Sequence, residues 1–344
     1  MNIVLCLSHA IEEYDQLRLL TGLGYNAFSI GGYIDPAHPH DPKRPALPDV
    51  TFYPELKAAV DRLDTPDNLG AAQAWLPDAV LDWADVIIYH HHLDRLFGQW
   101  ARVKGKRVVW RTVGQSVEGN EHQAHQFRRE GLQIVRYSPK ERNIPGYAGE
   151  DALIRFYKDP AEWQGWTGDD ETVIQFVQDF ANRWEWCNRP FFEQAIEELP
   201  HRVYGPQSEM LPYGGGLLSP EDQKARLRSA RAYLYTGTQP ASYTLGLIEA
   251  MMTGIPVVSI GPSWMRIFPY GPELFEGRDL AFRGSDDPKV VRGILARLLE
   301  HADPNPPERQ RAIELFGMDT IGRQWREFLG SSVQAEPMLV GAAA

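Results

Sequence analysis

The chain has 344 residues, of which 43% are hydrophobic and 24% charged, with a formal net charge of −11 at pH 7. This length suits two domains of ordinary size, and the acidity disfavours broad binding to nucleic acid or anionic membrane. Cys6 and Cys187 are too few for a disulfide framework and are expected as buried thiols in a reducing, cytoplasmic compartment. No run approaches the ~18 apolar residues of a membrane span, and the apolar residues 1–7 lack the basic leader of a signal peptide.

Residues 2–7 read as a buried strand and 12–23 as its crossover helix, stopped by Gly22 and Gly24. Residues 26–30 are expected to form the next strand. A Pro/His/Asp-rich stretch over 35–48 reads as a surface excursion. Short strands are expected at 86–89, 107–110 and 132–137, with a helix over 93–103. Such alternation predicts a parallel sheet covered on both faces.

Residues 158–171, with Asp-Pro, Gln-Gly-Trp and Thr-Gly-Asp-Asp, read as a linker, after which the pattern restarts. A strand is expected over 172–180, a helix over 191–199, a strand over 202–204 and a helix over 220–229. Residues 232–235 then run into a small-residue turn, a helix over 243–253 stopped by Gly254 and Pro256, and a second strand over 255–260. This is one βαβ unit, and the start of its helix is suited to holding a phosphate. Glu249 lies further along that helix, in an apolar context where a carboxylate needs a reason to be. The fold class expected is α/β, with two doubly wound Rossmann-like domains facing a cleft. Their boundaries are placed at 1–165 and 166–318, followed by a terminal helix within 319–330 that crosses back to the first domain and a tail over 331–344.

In open parallel sheets ligands gather beyond the carboxyl ends of the strands. Ser8, His9 and Glu13 follow the first expected strand. His90, His91 and His92 follow the strand at 86–89, and Arg111, Thr112, Gly114, Gln115 and Ser116 follow that at 107–110. In the second half Arg183, Gly205 and residues 237–244 occupy corresponding places. Two such rims face to face define an interdomain site for a small molecule.

The run Asp85-Val-Ile-Ile-Tyr-His-His-His, followed by Val108-Val-Trp-Arg-Thr-Val-Gly, resembles the N-terminal half of GT-B glycosyltransferases of the family-4 (glycosyl transferases group 1) type. Tyr204-Gly-Pro, Gly216-Leu-Leu-Ser-Pro-Glu and Ala241-Ser-Tyr-Thr-Leu-Gly-Leu-Ile-Glu-Ala-Met-Met-Thr-Gly-Ile-Pro-Val-Val are similar to that family's nucleotide-sugar domain over about residues 170–330. The resemblance implies transfer of a sugar from a nucleoside diphosphate, UDP foremost, to an acceptor hydroxyl, with no metal and no further cofactor. It implies that Glu249 accepts from ribose hydroxyls, that Ser242, Tyr243 and Thr244 hold the diphosphate, and that Gly205, Gly216 and Leu217 lie by the donor. Arg183 or Arg189 would stabilise the departing diphosphate. His9, or His91 on the neighbouring strand end, would be the base in an inverting enzyme. Glu13, His90, Arg111 and Gln115 are expected on the acceptor side. Ala241 stands where the family usually has a second glutamate, and Asp179 where it usually has a basic residue.

Plainer readings stand beside these. Three consecutive histidines diverge in direction, which disfavours a metal site. Trp163, Trp166, Trp184 and Trp186 read as packing before sugar platforms. Arg128, Arg129, Arg136, Lys140 and Arg142 form a basic stripe that reads as a solvated face before a phosphate-facing one. The acceptor classes are a glycan, a small molecule or a hydroxymethylated DNA base, as in phage-type enzymes. The rival functions are a nucleotide-sugar epimerase and a non-catalytic binder of sugar nucleotides.

Overall fold

Six parallel strands form the first sheet: β1 (Asn2–Cys6), β2 (Asn26–Ser29), β3 (Val86–His90), β4 (Arg107–Arg111), β5 (Gln133–Arg136) and β6 (Ala152–Leu153), ordered β2-β1-β3-β4-β5-β6. Every residue of β3 is buried, as expected for a central strand covered on both faces. The helices of this half are α1 (Ala10–Gly22), α2 (Pro54–Asp61), α3 (Asp78–Trp83), α4 (Leu93–Val103) and α5 (Glu118–Arg128). The computed structural model describes residues 1–6, 10–30, 53–62, 76–91, 93–114, 116–261, 283–303 and 307–330. The expected excursion at 35–48, His9, His92, Gln115 and the tail lie outside them.

Five parallel strands form the second sheet: β7 (Asp170–Phe176), β8 (His201–Tyr204), β9 (Ala230–Tyr235), β10 (Val257–Ile260) and β11 (Gly284–Ser285), ordered β11-β10-β9-β7-β8. From the β8 end this repeats the pattern of the first five strands of the first sheet. Its helices are α6 (Arg189–Ile196), α7 (Pro220–Ser229), α8 (Leu245–Thr253), α9 (Pro288–Glu300) and α10 (Glu308–Phe316). Alternation along the strands splits the core in two. Val173 and Leu234 face Phe192 and Leu295, whereas Ile174 and Tyr233 face Met251 and Phe316.

Local chemistry sets the helix ends. The Ser219 hydroxyl accepts from the Asp222 amide at 3.1 Å, ahead of Pro220, to open α7. The Thr244 hydroxyl accepts from the Leu247 amide at 3.3 Å to open α8, and Gly254, at φ 95°, closes it. The strand expected over 172–180 stops at Phe176. Phe180 is buried all the same, because it packs edge-on against Phe192 from within a turn, at a centroid distance of 5.3 Å.

The last helix, α11 (Met318–Gly330), joins the core of the first sheet through Ile321, Trp325, Phe328 and Leu329. The Arg107 guanidinium anchors its end, donating to the carbonyls of Leu329 at 2.8 Å and Phe328 at 2.6 Å. The chain therefore passes between the halves twice. The outgoing pass connects β6 to β7 with no helix or strand between, and Lys158 and Trp163 within it are buried. It touches the returning pass where the Lys158 amide donates to the Phe316 carbonyl at 3.1 Å.

Candidate functional site between the two sheets

Strand order reverses between β1 and β3 in the first sheet and between β7 and β9 in the second, and these are the places where open α/β sheets take ligands. On the first side His90 ends β3 and Arg111 ends β4. Glu12 of α1 meets both, its Oε1 lying 3.8 Å from His90 Nε2 and 3.9 Å from Arg111 Nε. Burial pushes the Glu12 carboxyl up to about 8, against the pull of Arg111 and Lys158 and with the help of Asp15. His91 follows at φ 62°, its amide donating to the Arg111 carbonyl at 3.0 Å.

Two residues expected on the acceptor side make contacts within the protein. Arg111 is fully buried, donates to the carbonyls of Arg136 and Ile154, and lies 5.3 Å from the Phe156 ring and 5.9 Å from that of Trp325. Glu13 is buried and accepts from the Ser29 hydroxyl, tying α1 to β2.

On the second side, β9 ends at Tyr235 and a nine-residue loop over 236–244 leads to α8. Gly237, at φ 76°, turns the chain where a side chain would be strained. The Thr236 hydroxyl accepts from Gln175 Nε2 at 2.7 Å, and Asn188 Nδ2 donates to the Thr236 carbonyl at 2.8 Å. Ser242 and Tyr243 are buried against the first half. The Ser242 amide donates to the Tyr137 hydroxyl, and the Tyr243 hydroxyl donates to the Tyr137 carbonyl at 2.7 Å. The Ser242 hydroxyl is buried with no hydrogen-bond partner among the described residues. Thr244 caps the helix.

Glu249 points inward from α8 and is 2% exposed. Its Oε1 accepts from Lys158 Nζ at 2.5 Å and its Oε2 from Gln223 Nε2 at 2.6 Å. Lys158 Nζ also lies 2.7 Å from Asp15 Oδ2, on α1 of the first half. Sequence reasoning missed Lys158, Gln223, Asp15 and Glu12. The signal available was a lysine and a carboxylate set at the edge of apolar runs.

The other residues expected on the donor side lie after β7 and β8 and differ in exposure. Arg183 is half-buried in the turns after β7, its amide donating to the Asp179 carbonyl at 2.9 Å. Arg189 is held by Glu193 at 2.8 Å on its own helix. Gly205 carries φ 134°, and a Cβ there would sit 2.0 Å from the Val177 carbonyl oxygen, so no other residue fits. Its amide donates to the Gly216 carbonyl at 3.0 Å, and Leu217 beside it is exposed.

The basic stripe is split on folding, with Arg129, Lys140 and Arg142 exposed, as in a solvated face, and Arg136 withdrawn from it. Arg136 is fully buried in a two-pronged pair with Glu121, at 2.8 and 2.6 Å. Arg142 pairs with Glu150, and Arg128 lies 3.4 Å from Asp151. The tryptophans divide: Trp163 is buried, whereas Trp184 and Trp186 are nearly half exposed. Among the described residues no group of three or more His, Cys, Asp or Glu is placed to hold a metal ion, and no helix is long and apolar enough to cross a membrane.

Two parallel Rossmann-like sheets facing a shared cleft define the GT-B fold of glycosyltransferases, and solved structures of that class superpose on nearly the whole chain. Anabaena Alr3699/HepE in complex with UDP matches with a TM-score of 0.61 at 12% identity, over 96% of this chain and 100% of its own. AviGT4, a glycosyltransferase involved in avilamycin A biosynthesis, matches with a TM-score of 0.56 at 16% identity, over 96% of this chain and 99% of its own. A glycosyltransferase from Rickettsia africae ESF-5 matches with a TM-score of 0.62 at 10% identity, over 96% and 99%. TarM is longer, and the match spans 55% of its length. No protein-family model and no curated protein matches the sequence.

Proposed function

We propose that the protein is a glycosyltransferase that moves a sugar from a nucleoside diphosphate, UDP foremost, to an acceptor hydroxyl. The observation that carries this reading is the buried Glu249 carboxylate on α8, one turn inside a capped helix start at the switch point of the second sheet. An ionised carboxylate is a strong acceptor for the O–H groups of a ribose. The start of α8 offers main-chain N–H groups and a positive dipole end to a diphosphate. Arg183, in the turns after β7, is the candidate to stabilise the negative charge that grows as the nucleotide leaves. His91, which follows β3 on the opposite rim, is the candidate to take the acceptor proton, with His9, outside the described residues, as the alternative from sequence. Closure of the halves over both substrates would exclude water. HepE, of like fold, has been solved with UDP and with UDP-glucose, which supports UDP as the first donor to test. A glycan or small-molecule acceptor suits the net charge of −11 better than a hydroxymethylated DNA base.

Calorimetric titration with UDP tests the reading, with wild type beside Glu249→Gln. Saturable binding by wild type and a loss of about tenfold or more in the variant is the expected result, in line with a charge-assisted contact made neutral. Absence of any nucleoside diphosphate binding by wild type removes the reading. Equal affinity in both proteins removes the role of Glu249.

A further inference from the structure

Asp15, Lys158 and Glu249 form one continuous buried ionic chain, and each member comes from a different part of the molecule. Asp15 belongs to α1, which packs on the first sheet. Lys158 lies on the pass between the halves, and Glu249 on α8 of the second sheet. Side-chain exposures are 5%, 0% and 3%, so water screens none of the three charges. The ammonium lies 5.4 Å from the Trp163 ring centroid, which gives it a low-polarity wall. Two carboxylates, at 2.7 and 2.5 Å, face the one ammonium from opposite halves of the molecule.

Burial of three charges is a costly way to hold two domains together, and apolar packing does that better. The arrangement does suit another task. One ammonium shared by two carboxylates makes the position of each sensitive to the other. A ligand that draws on Glu249 alters the hold of Lys158 on Asp15, and through it the seating of α1. Helix α1 also bears Glu12, the residue that meets His90 and Arg111 on the far rim.

We infer that Lys158 is a positioning residue that couples nucleotide binding at Glu249 to the first half of the molecule through Asp15. The inference rests on the donor-site reading of Glu249 given above. It adds that the nucleotide site is energetically continuous with a residue of the opposite half. Lys158 sets the orientation of the Glu249 carboxylate from one side while Gln223 sets it from the other. Coupling of this kind is a difference in binding free energy between two states and is reciprocal.

The test measures UDP affinity for wild type, Asp15→Asn, Lys158→Met, Lys158→Arg and the double variant Asp15→Asn/Lys158→Met, with thermal unfolding of each as a check on folding. Asp15→Asn alone is expected to change UDP affinity by about fivefold or more, although Asp15 lies in the other half. In the Lys158→Met background the same substitution is expected to change affinity by less than about twofold, because the link is already cut. Lys158→Arg keeps the charge and restores part of the Asp15 effect. UDP affinity unchanged in Asp15→Asn, or changed equally in both backgrounds, overturns the coupling while leaving the donor site intact. If wild type binds UDP and Lys158→Met does not fold, Asp15→Asn beside wild type carries the decision, and unchanged UDP affinity in it overturns the coupling. Failure of wild type to bind any nucleoside diphosphate removes the donor reading and the coupling with it.

Discussion

The phenolic hydroxyl of Tyr243 donates to the main-chain carbonyl of Tyr137 at 2.7 Å, joining residues 106 apart in sequence and on opposite halves. Their rings lie 4.8 Å apart, and the Phe156 ring meets both, 5.1 Å from Tyr137 and 5.5 Å from Tyr243. The loop expected to grip phosphate is thus also part of the wall between the halves. Whatever enters at α8 meets residues already in register with the first domain.

Removing the Tyr243 hydroxyl leaves a buried carbonyl without this donor. Tyr243→Phe should cost about 1–3 kcal/mol of folding free energy, read by urea unfolding. A midpoint and slope equal to wild type would show that the contact does not hold in solution.

Glu12 gives a pH signature. Its carboxyl rises from an ordinary 4.5 to about 8 because it is buried, so between those values the folded chain binds more protons than the unfolded one. The stability this group contributes is therefore complete below the lower value and is lost as pH climbs through the upper one. Glu12→Gln, neutral throughout, should gain on wild type as pH moves from 5 to 9, by at most about 1.4 kcal/mol per pH unit. Glu141, raised to about 7 by burial, acts with the same sign and will persist in the variant. Thermal unfolding at several pH values provides the measurement, and parallel curves for the two proteins would refute it.

Trp325 fixes the terminal helix. It is fully buried on the first core and lies 5.9 Å from the Phe328 ring and 5.9 Å from the Arg111 guanidinium. Trp325→Ala should destabilise the protein by about 3–5 kcal/mol. It should also expose residues 318–330 to protease before the rest of the chain. Cleavage elsewhere first, with α11 protected, would count against this account.

What the sequence announces is local. Gly254 and Pro256 stop α8, Thr244 starts it, and the flanking apolar runs are β9 and β10; each signal lies within a few residues of what it controls. Phe180 misleads for a physical reason, since an aromatic side chain can reach a core from a turn as well as from a strand. Arg136 looked like surface charge because its partner Glu121 lies 15 residues away on another element. The gap is greatest for Lys158, whose contact with Glu249 spans 91 residues and whose surroundings read as linker. Charges that neutralise one another at long range leave no periodicity to find.

The two passes between the halves run side by side, bonded where Lys158 meets Phe316. At the return sits Gly317, where a Cβ would stand 2.5 Å from the Ile313 carbonyl oxygen at the end of α10. A single tether would let one half twist and tilt freely against the other. Two tethers fastened together behave as a door hung on a pair of pins, with one line about which to swing. Any widening of the mouth would then leave the pivot almost still, and Lys158, seated there, would keep hold of both leaves while the outer edges part.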